Sequence, residues 1–270
     1  MKILVGIIHS NEPQVKYCIN SVKNQNFHDF HDYFIISGLN KRDAHDKLYS
    51  KFMENKADFD IFIKLDGDMI IERVDFFTFI EDHFVRNTNL DWIRIEVFDF
   101  FLNENMSGLN IYSNNVNWIS NSNNYFTDRT MIQDSVREDK GIVPDIKWIS
   151  HCNNATLYQA FNFGFHRAIK AFQFNTNQKV FSTLQWMAFL RIYKLGKTDF
   201  SKINLIIIAA LVYVIQNKIN DTAINEKNIE KVKAFSFLSE MTKDELLIYI
   251  ENSSILNFLK LRKLGFLILF

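Results

Sequence analysis

Apolar residues gather in short blocks over the first hundred positions, and the blocks alternate between two periods. Lys2–Ile8 is a compact apolar run of the kind that forms a strand covered on both faces. Val15, Cys18, Ile19 and Val22 then recur at i, i+3, i+4 and i+7, which is one apolar stripe of a helix. Pro13 is tolerated in that helix's first turn, and Asn11 is its expected cap. Tyr33–Ile36 predicts a second strand, and Asp43–Glu54 a helix with Ala44, Leu48 and Phe52 on one face. Ile61–Leu65 predicts a third strand that runs directly into Asp66-Gly67-Asp68. Asp75–Arg86 follows as a helix and Trp92–Phe98 as another strand.

Strands alternating with helices of this length imply crossover units on a mostly parallel sheet, an α/β fold. Such sheets bind ligands outside the carboxyl ends of their strands, where His9-Ser10-Asn11-Glu12 and Asp66-Gly67-Asp68 stand. The pattern weakens from Asn103 to Ser122, a stretch rich in Asn and Ser that reads as loop with short strands. A short strand at Ile146–Ser150 precedes His151, and beyond Ala155 the periodicity is helical. Gly196–Ser201 divides the chain into an α/β domain at 1–195 and a helical extension at 196–270. Ile203–Ile215 is apolar all round but short of the ~20 residues that span a bilayer, so it predicts a buried helix.

Composition narrows the function classes. The 270 residues carry 31 basic and 31 acidic side chains, so no basic excess exists to hold nucleic acid by phosphate neutralisation. Two cysteines without CxxC spacing make a disulfide framework or a zinc–thiolate site unexpected, and a reducing cytosol fits them best. The apolar run after Met1 is too short for a signal-peptide core. The end of the chain, LKLRKLGFLILF, sets Lys260, Arg262 and Lys263 among apolar residues. The favoured reading is a final helix closing the core, with peripheral contact to an anionic membrane or dimerisation as alternatives.

Asp66 and Asp68 stand two residues apart at a strand end, where extended backbone points both side chains to the same side. Paired carboxylates repel unless a cation offsets them, and oxygen ligands suit Mn2+ or Mg2+. Gly67 leaves room for a diphosphate to approach the backbone. Three segments resemble glycosyltransferases of the GT-A fold, near the large family-two group of bacterial enzymes. ILVGIIHSNEPQVKYCINSV resembles the strand, turn and helix that cradle the nucleotide, with Asn11-Glu12 matching a frequent pair. FDIFIKLDGDMII resembles the Asp-x-Asp signature that holds the divalent ion and the sugar diphosphate. HCNNATLYQAFNFGFHRAIKA is similar, more loosely, to a segment of some polysaccharide-assembly enzymes. Two family features are missing. Ile36-Ser37-Gly38-Leu39-Asn40 stands where an Asp-Asp-Gly-Ser often follows the second strand, and there is no Gln-x-x-Arg-Trp of processive synthases.

The resemblance implies transfer of a single sugar from a nucleotide-diphosphate sugar, with UDP the expected carrier. The expected acceptor is a glycan or lipid-linked glycan of bacterial lipopolysaccharide or capsule. It also implies a late histidine as third metal ligand, for which His151 is the candidate, and a donor site that includes His9, Asn11, Glu12, Asp66, Gly67 and Asp68. An inverting reaction needs a base for the acceptor hydroxyl. Asp139, in a Glu138-Asp139 pair, leads, with Asp128 beside Arg129 as the alternative. A phosphatase of the haloacid-dehalogenase type also uses Asp-x-Asp, but on the first strand and with Thr or Val at the fourth position. A sugar nucleotidyltransferase would need a Gly-rich basic loop after strand one. A transferase relic that binds nucleotide or glycan without turnover is the non-enzymatic rival.

Overall fold

Every second residue of the first strand, β1 (Ile3–His9), faces the same layer of helices. Ile3, Val5 and Ile7 enter one apolar cluster and Leu4 the opposite one, and all four are buried. A strand apolar on both faces must lie inside a sheet. Accordingly β2 (His31–Ser37) and β3 (Ile61–Asp66) flank β1 in parallel, in register from Ile3↔His31 and Ile3↔Ile61. The computed structural model of the chain describes residues 1–119, 130–131, 138–142, 147–171, 179–196, 201–217, 219 and 229–253.

Helices cover both faces of this core. On one side lie α1 (Val15–Lys23), through Cys18 and Val22, and α3 (Phe76–Arg86), through Phe76, Phe77, Ile80 and Phe84. On the other lies α2 (Lys41–Glu54), through Ala44, Leu48, Tyr49 and Phe52. Burying each of the larger side chains is worth about 1.5–3 kcal/mol, which outweighs the modest helix propensities of these segments. The start of α2 is capped by Asn40, whose side chain accepts the Asp43 N–H at 3.0 Å. Asn11 does not cap α1. It adopts the left-handed conformation at φ 66°, and Gln14 takes the cap position without a side-chain bond.

The sheet is mixed where the sequence pattern predicts a mostly parallel one. Its order is β2-β1-β3-β6-β5-β10-β4, with β9 also paired to β5. Here β4 is Met69–Ile71, β5 Trp92–Asp99, β6 Glu104–Ser113, β9 Glu138–Ile142 and β10 Ile149–His151. A separate two-stranded sheet joins β7 (Trp118–Ile119) to β8 (Thr130–Met131). Strand β6 runs antiparallel to both β3 and β5, so a stretch expected to be mainly loop stands inside the sheet. Its polar residues conceal a period of two: Leu109 and Ile111 are buried in one cluster while Asn110 is partly exposed. Parallel pairs remain between β1 and β2, β1 and β3, β5 and β10, and β5 and β9.

Residues Met1–Asn154 form one compact unit and Ala155–Phe270 a second. The boundary drawn at 195/196 on composition falls inside the second unit. That unit contains α4 (Leu157–Ala171), α5 (Lys179–Gly196), α6 (Lys202–Gln216), α7 (Ile229–Glu240) and α8 (Lys243–Glu251). As expected, α6 is a buried helix, with Leu205 to Val212 all sequestered. It crosses α4 at Gly164, where an added Cβ would lie 2.3 Å from the Ile207 carbonyl oxygen. Among the described residues no helix is long and apolar enough to cross a membrane. The basic C-terminal segment lies outside the described residues.

Candidate functional site

The turn between β3 and β4 carries Asp66-Gly67-Asp68 at the carboxyl end of β3, beside the carboxyl end of β1. Two backbone bonds hold it there. The Gly67 N–H donates to the Ile8 carbonyl at 2.8 Å, and the Cys152 N–H donates to the Asp68 carbonyl at 2.9 Å. A Cβ on Gly67 would come within 2.5 Å of His9 Cβ, so packing between strand ends already requires glycine at this position. That reason is independent of any diphosphate.

The two aspartates of the motif take different surroundings. Asp66 is 41% exposed, with Oδ1 3.5 Å from the Lys64 ammonium. Asp68 is 19% exposed and turns toward β10, where its Oδ2 lies 3.4 Å from His151 Nε2 and 3.1 Å from the Cys152 thiol, which donates to it. Sγ of Cys152 is also 3.6 Å from His151 Nε2. Asp68, His151 and Cys152 thus form a compact group of three donors from which Asp66 is separate.

His151 is held from behind. Its Nδ1 donates to Oδ2 of the fully buried Asp99 at 2.7 Å, and the other oxygen of Asp99 accepts the Leu102 N–H at 2.8 Å. The parallel pairing of β10 with β5 sets His151 opposite Asp99, and the antiparallel pairing with β4 sets it opposite Met69. Three strands therefore converge on one imidazole. Cys152 follows directly in the left-handed conformation at φ 56°, an unfavourable state for a residue with a Cβ.

The electrostatics follow from this packing. Burial alone would lower the His151 pKa, but the charge of Asp68 and the hydrogen bonds to Asp68, Asp99 and Cys152 hold it well above 6.5. Burial would likewise raise Asp68, yet the His151 charge and bonds from His151, Cys152 and its own backbone N–H keep it below the ordinary carboxylate range. Burial pushes the Cys152 thiol up to about 12, and the Cys18 thiol also to about 12. Burial raises Glu12, and the nearby Asp68 and Asp66 add to that effect against bonds from backbone N–H groups.

The loop after β1 lies against the same turn. Glu12 Oε2 accepts the Ser10 N–H at 2.7 Å, and the Asn11 N–H donates to His9 Nδ1 at 3.2 Å. Burial lowers the pKa of His9, so the ring is neutral at physiological pH. The Gln14 amide ties the loop to the Asn153 carbonyl at 2.9 Å, just past His151. A cleft of about 430 Å³ opens between His9, Asn11, Glu12 and Pro13 and the side of α1 that carries Lys16 and Asn20.

Of the residues singled out in the sequence, the structure gathers His9, Asn11, Glu12, Asp66, Gly67, Asp68 and His151 at one end of the sheet. It does not gather Asp139. That residue pairs with Ile93, six positions before Asp99 on β5, which is roughly 20 Å along the strand from His151. Asp128 lies outside the described residues. Two members of the cluster went unread in the sequence, Asp99 and Cys152. Asp99 directly follows the expected strand Trp92–Phe98, so the rule that strand carboxyl ends carry the chemistry points to it. Cys152 had only its adjacency to His151 as a signal.

No family model and no curated protein matches the chain. Among solved structures, A197 from STIV aligns with 42% of this chain and 65% of its own length, at 21% identity and TM-score 0.34. A structure of S. aureus TarS residues 1–349 aligns with 81% of this chain and 82% of its own, at 11% identity and TM-score 0.35. S. aureus TarS in a longer form aligns over 80% of this chain and 49% of its own, at 12% identity and TM-score 0.36. At TM-scores this low the likenesses carry no assignment, and the functional reading rests on the site itself.

Proposed function

We propose that the first unit is the donor-binding and catalytic part of a metal-dependent glycosyltransferase. It would move one sugar from a nucleotide-diphosphate sugar, with UDP as the expected carrier, to a glycan or lipid-linked glycan acceptor in bacterial surface polysaccharide synthesis. The observation that carries this reading is the Asp68–His151–Asp99 relay at the carboxyl ends of β3, β10 and β5. Ligated histidines usually donate their second ring N–H to a carboxylate, which fixes the tautomer and orients the ring. Here Asp99 accepts the hydrogen bond from Nδ1–H and so aims Nε2 at Asp68.

The residues fit a divalent cation, Mn2+ or Mg2+. Asp68 Oδ2 and His151 Nε2 stand side by side at 3.4 Å, so the two could hold one ion between them after a small adjustment. Mn2+ accepts an imidazole more readily than Mg2+, which prefers oxygen and water. Such an ion would be held by Asp68 and His151, with Asp66 reaching it only after leaving Lys64. Once bound it supplies charge neutralisation for the leaving diphosphate, an effect of several kcal/mol.

The chain's own groups do the remaining work. Lys16 offers a positive charge in the cleft beside α1. Asn11 and Glu12 present the loop that would meet the nucleotide. His151 must release its Nε2 proton before it can act as a ligand. A titration of UDP, GDP and CMP by calorimetry, with and without Mn2+, on wild type and Asp68→Asn tests the reading. One diphosphate should bind only with both the ion and Asp68 present, and failure of all three to bind would sink it. Hydrolysis of the matching donor then separates an active enzyme from a relic that only binds.

A further inference from the structure

We propose that Asp68, His151 and Cys152 together form a site for a thiophilic divalent cation of the Zn2+, Co2+ or Fe2+ class, bound through one oxygen, one nitrogen and one sulfur. This deepens the reading that the cluster holds a cation, and it makes that ion softer than the Mn2+ or Mg2+ which an Asp-x-Asp turn implies.

The donor spacing carries the inference. Tetrahedral bonds of about 2.0–2.2 Å to nitrogen and oxygen and about 2.3 Å to sulfur place O and N about 3.4 Å apart, and S and N about 3.6 Å apart. The structure has Asp68 Oδ2 and His151 Nε2 at 3.4 Å, and Cys152 Sγ and His151 Nε2 at 3.6 Å. The third edge, Sγ to Oδ2, is 3.1 Å where about 3.6 Å is needed, because the thiol donates a hydrogen bond to the carboxylate. An ion between them replaces that bond. The sulfur and ring protons pass to solvent as the metal–sulfur and metal–nitrogen bonds form, and nothing is oxidised or reduced.

Independent features fix the three donors before any ion arrives. The Cys152 N–H bonds to the Asp68 carbonyl at 2.9 Å, which locks the two ligand segments together. The fully buried Asp99 anchors the far nitrogen of His151. Asp68 and His151 keep 19% and 16% of their side chains exposed, so solvent reaches part of the cluster. Three protein ligands and an open position are the arrangement of catalytic rather than purely structural zinc sites. A hard-ion site has no use for the sulfur, because thiolates select softer metals over Mg2+ and Mn2+.

Cobalt titration of the full chain, freed of metal by a chelator, tests this, with Mn2+ binding measured in parallel by calorimetry. A bound Co2+ should give visible ligand-field bands together with a sulfur-to-cobalt charge-transfer band in the near ultraviolet. The charge-transfer band should persist in Cys18→Ala and vanish in Cys152→Ser, whose preference for Zn2+ over Mn2+ should fall by at least ~10-fold. The wild-type and Cys18→Ala spectra decide the question even if Cys152→Ser does not fold. Ligand-field bands without charge transfer would overturn the sulfur ligand and leave the cation reading standing. Absence of any cobalt spectrum together with absence of Mn2+ binding would overturn both.

Discussion

Asp99→Asn isolates the part of the site that touches no substrate. In the native chain one oxygen of Asp99 accepts the Leu102 N–H at 2.8 Å and the other accepts His151 Nδ1–H at 2.7 Å. An asparagine keeps the first bond only by placing its carbonyl oxygen toward Leu102, which turns its amide toward Nδ1. Two donors then face each other unless the ring moves its proton to Nε2, the nitrogen aimed at Asp68. The substitution should therefore present the wrong tautomer to the ion while leaving shape and volume nearly unchanged. Loss of such outer partners costs 10–100-fold in metal affinity, about 1.4–2.7 kcal/mol. Asp99 is wholly buried, so solvent cannot restore the missing acceptor. Calorimetric titration of Mn2+ and Zn2+ into wild type and Asp99→Asn, with circular dichroism to confirm the fold, gives the number. A folded Asp99→Asn that binds either ion as tightly as wild type would refute the relay.

Three further expectations follow from the same geometry. In the ion-free protein the raised His151 pKa contributes stability that is complete below 6.5 and lost as pH rises through the folded value. The lowered Asp68 contributes stability above 3.8, lost as pH falls through its own folded value. A bound ion competes with the Nε2 proton, so the thermal shift produced by Mn2+ or Zn2+ should grow from about pH 5 to about pH 9, and a flat profile would count against His151 as ligand. Gly67→Ala should force His9 away from the turn and cost about 1–3 kcal/mol, seen as a lower midpoint in urea; an unchanged midpoint would mean that the turn and the end of β1 do not pack as described. Gly164→Ala meets backbone rather than side chain at Ile207, so the loss should reach at least about 3 kcal/mol; a variant as stable as wild type would mean that α4 and α6 do not cross as described.

Local periodicity carried much of this protein. The apolar run at Ile3, the stripe through Cys18 and Val22, and the blocks before Asp66 and Asp99 depend on neighbours within a few residues, so the sequence alone located β1, α1, β3 and β5 to within about two positions. The same locality marked Asp66-Gly67-Asp68 as chemistry at a strand end. It could not show that only Asp68 of the pair turns inward, because that choice belongs to Lys64 and to the bond from Cys152. Strand β6 escaped because its Asn and Ser residues suit a loop until β3 and β5 lie on either side to pair its backbone. Asp99 reaches His151, and Asp68 reaches Cys152, only through the pairing of β10 with β5 and β4, between segments some fifty to eighty residues apart. Strand pairing over such separations is decided by which buried faces and backbone groups find partners across the whole unit. For that reason the elements were written in the sequence, whereas the constellation that they assemble belongs to the tertiary structure.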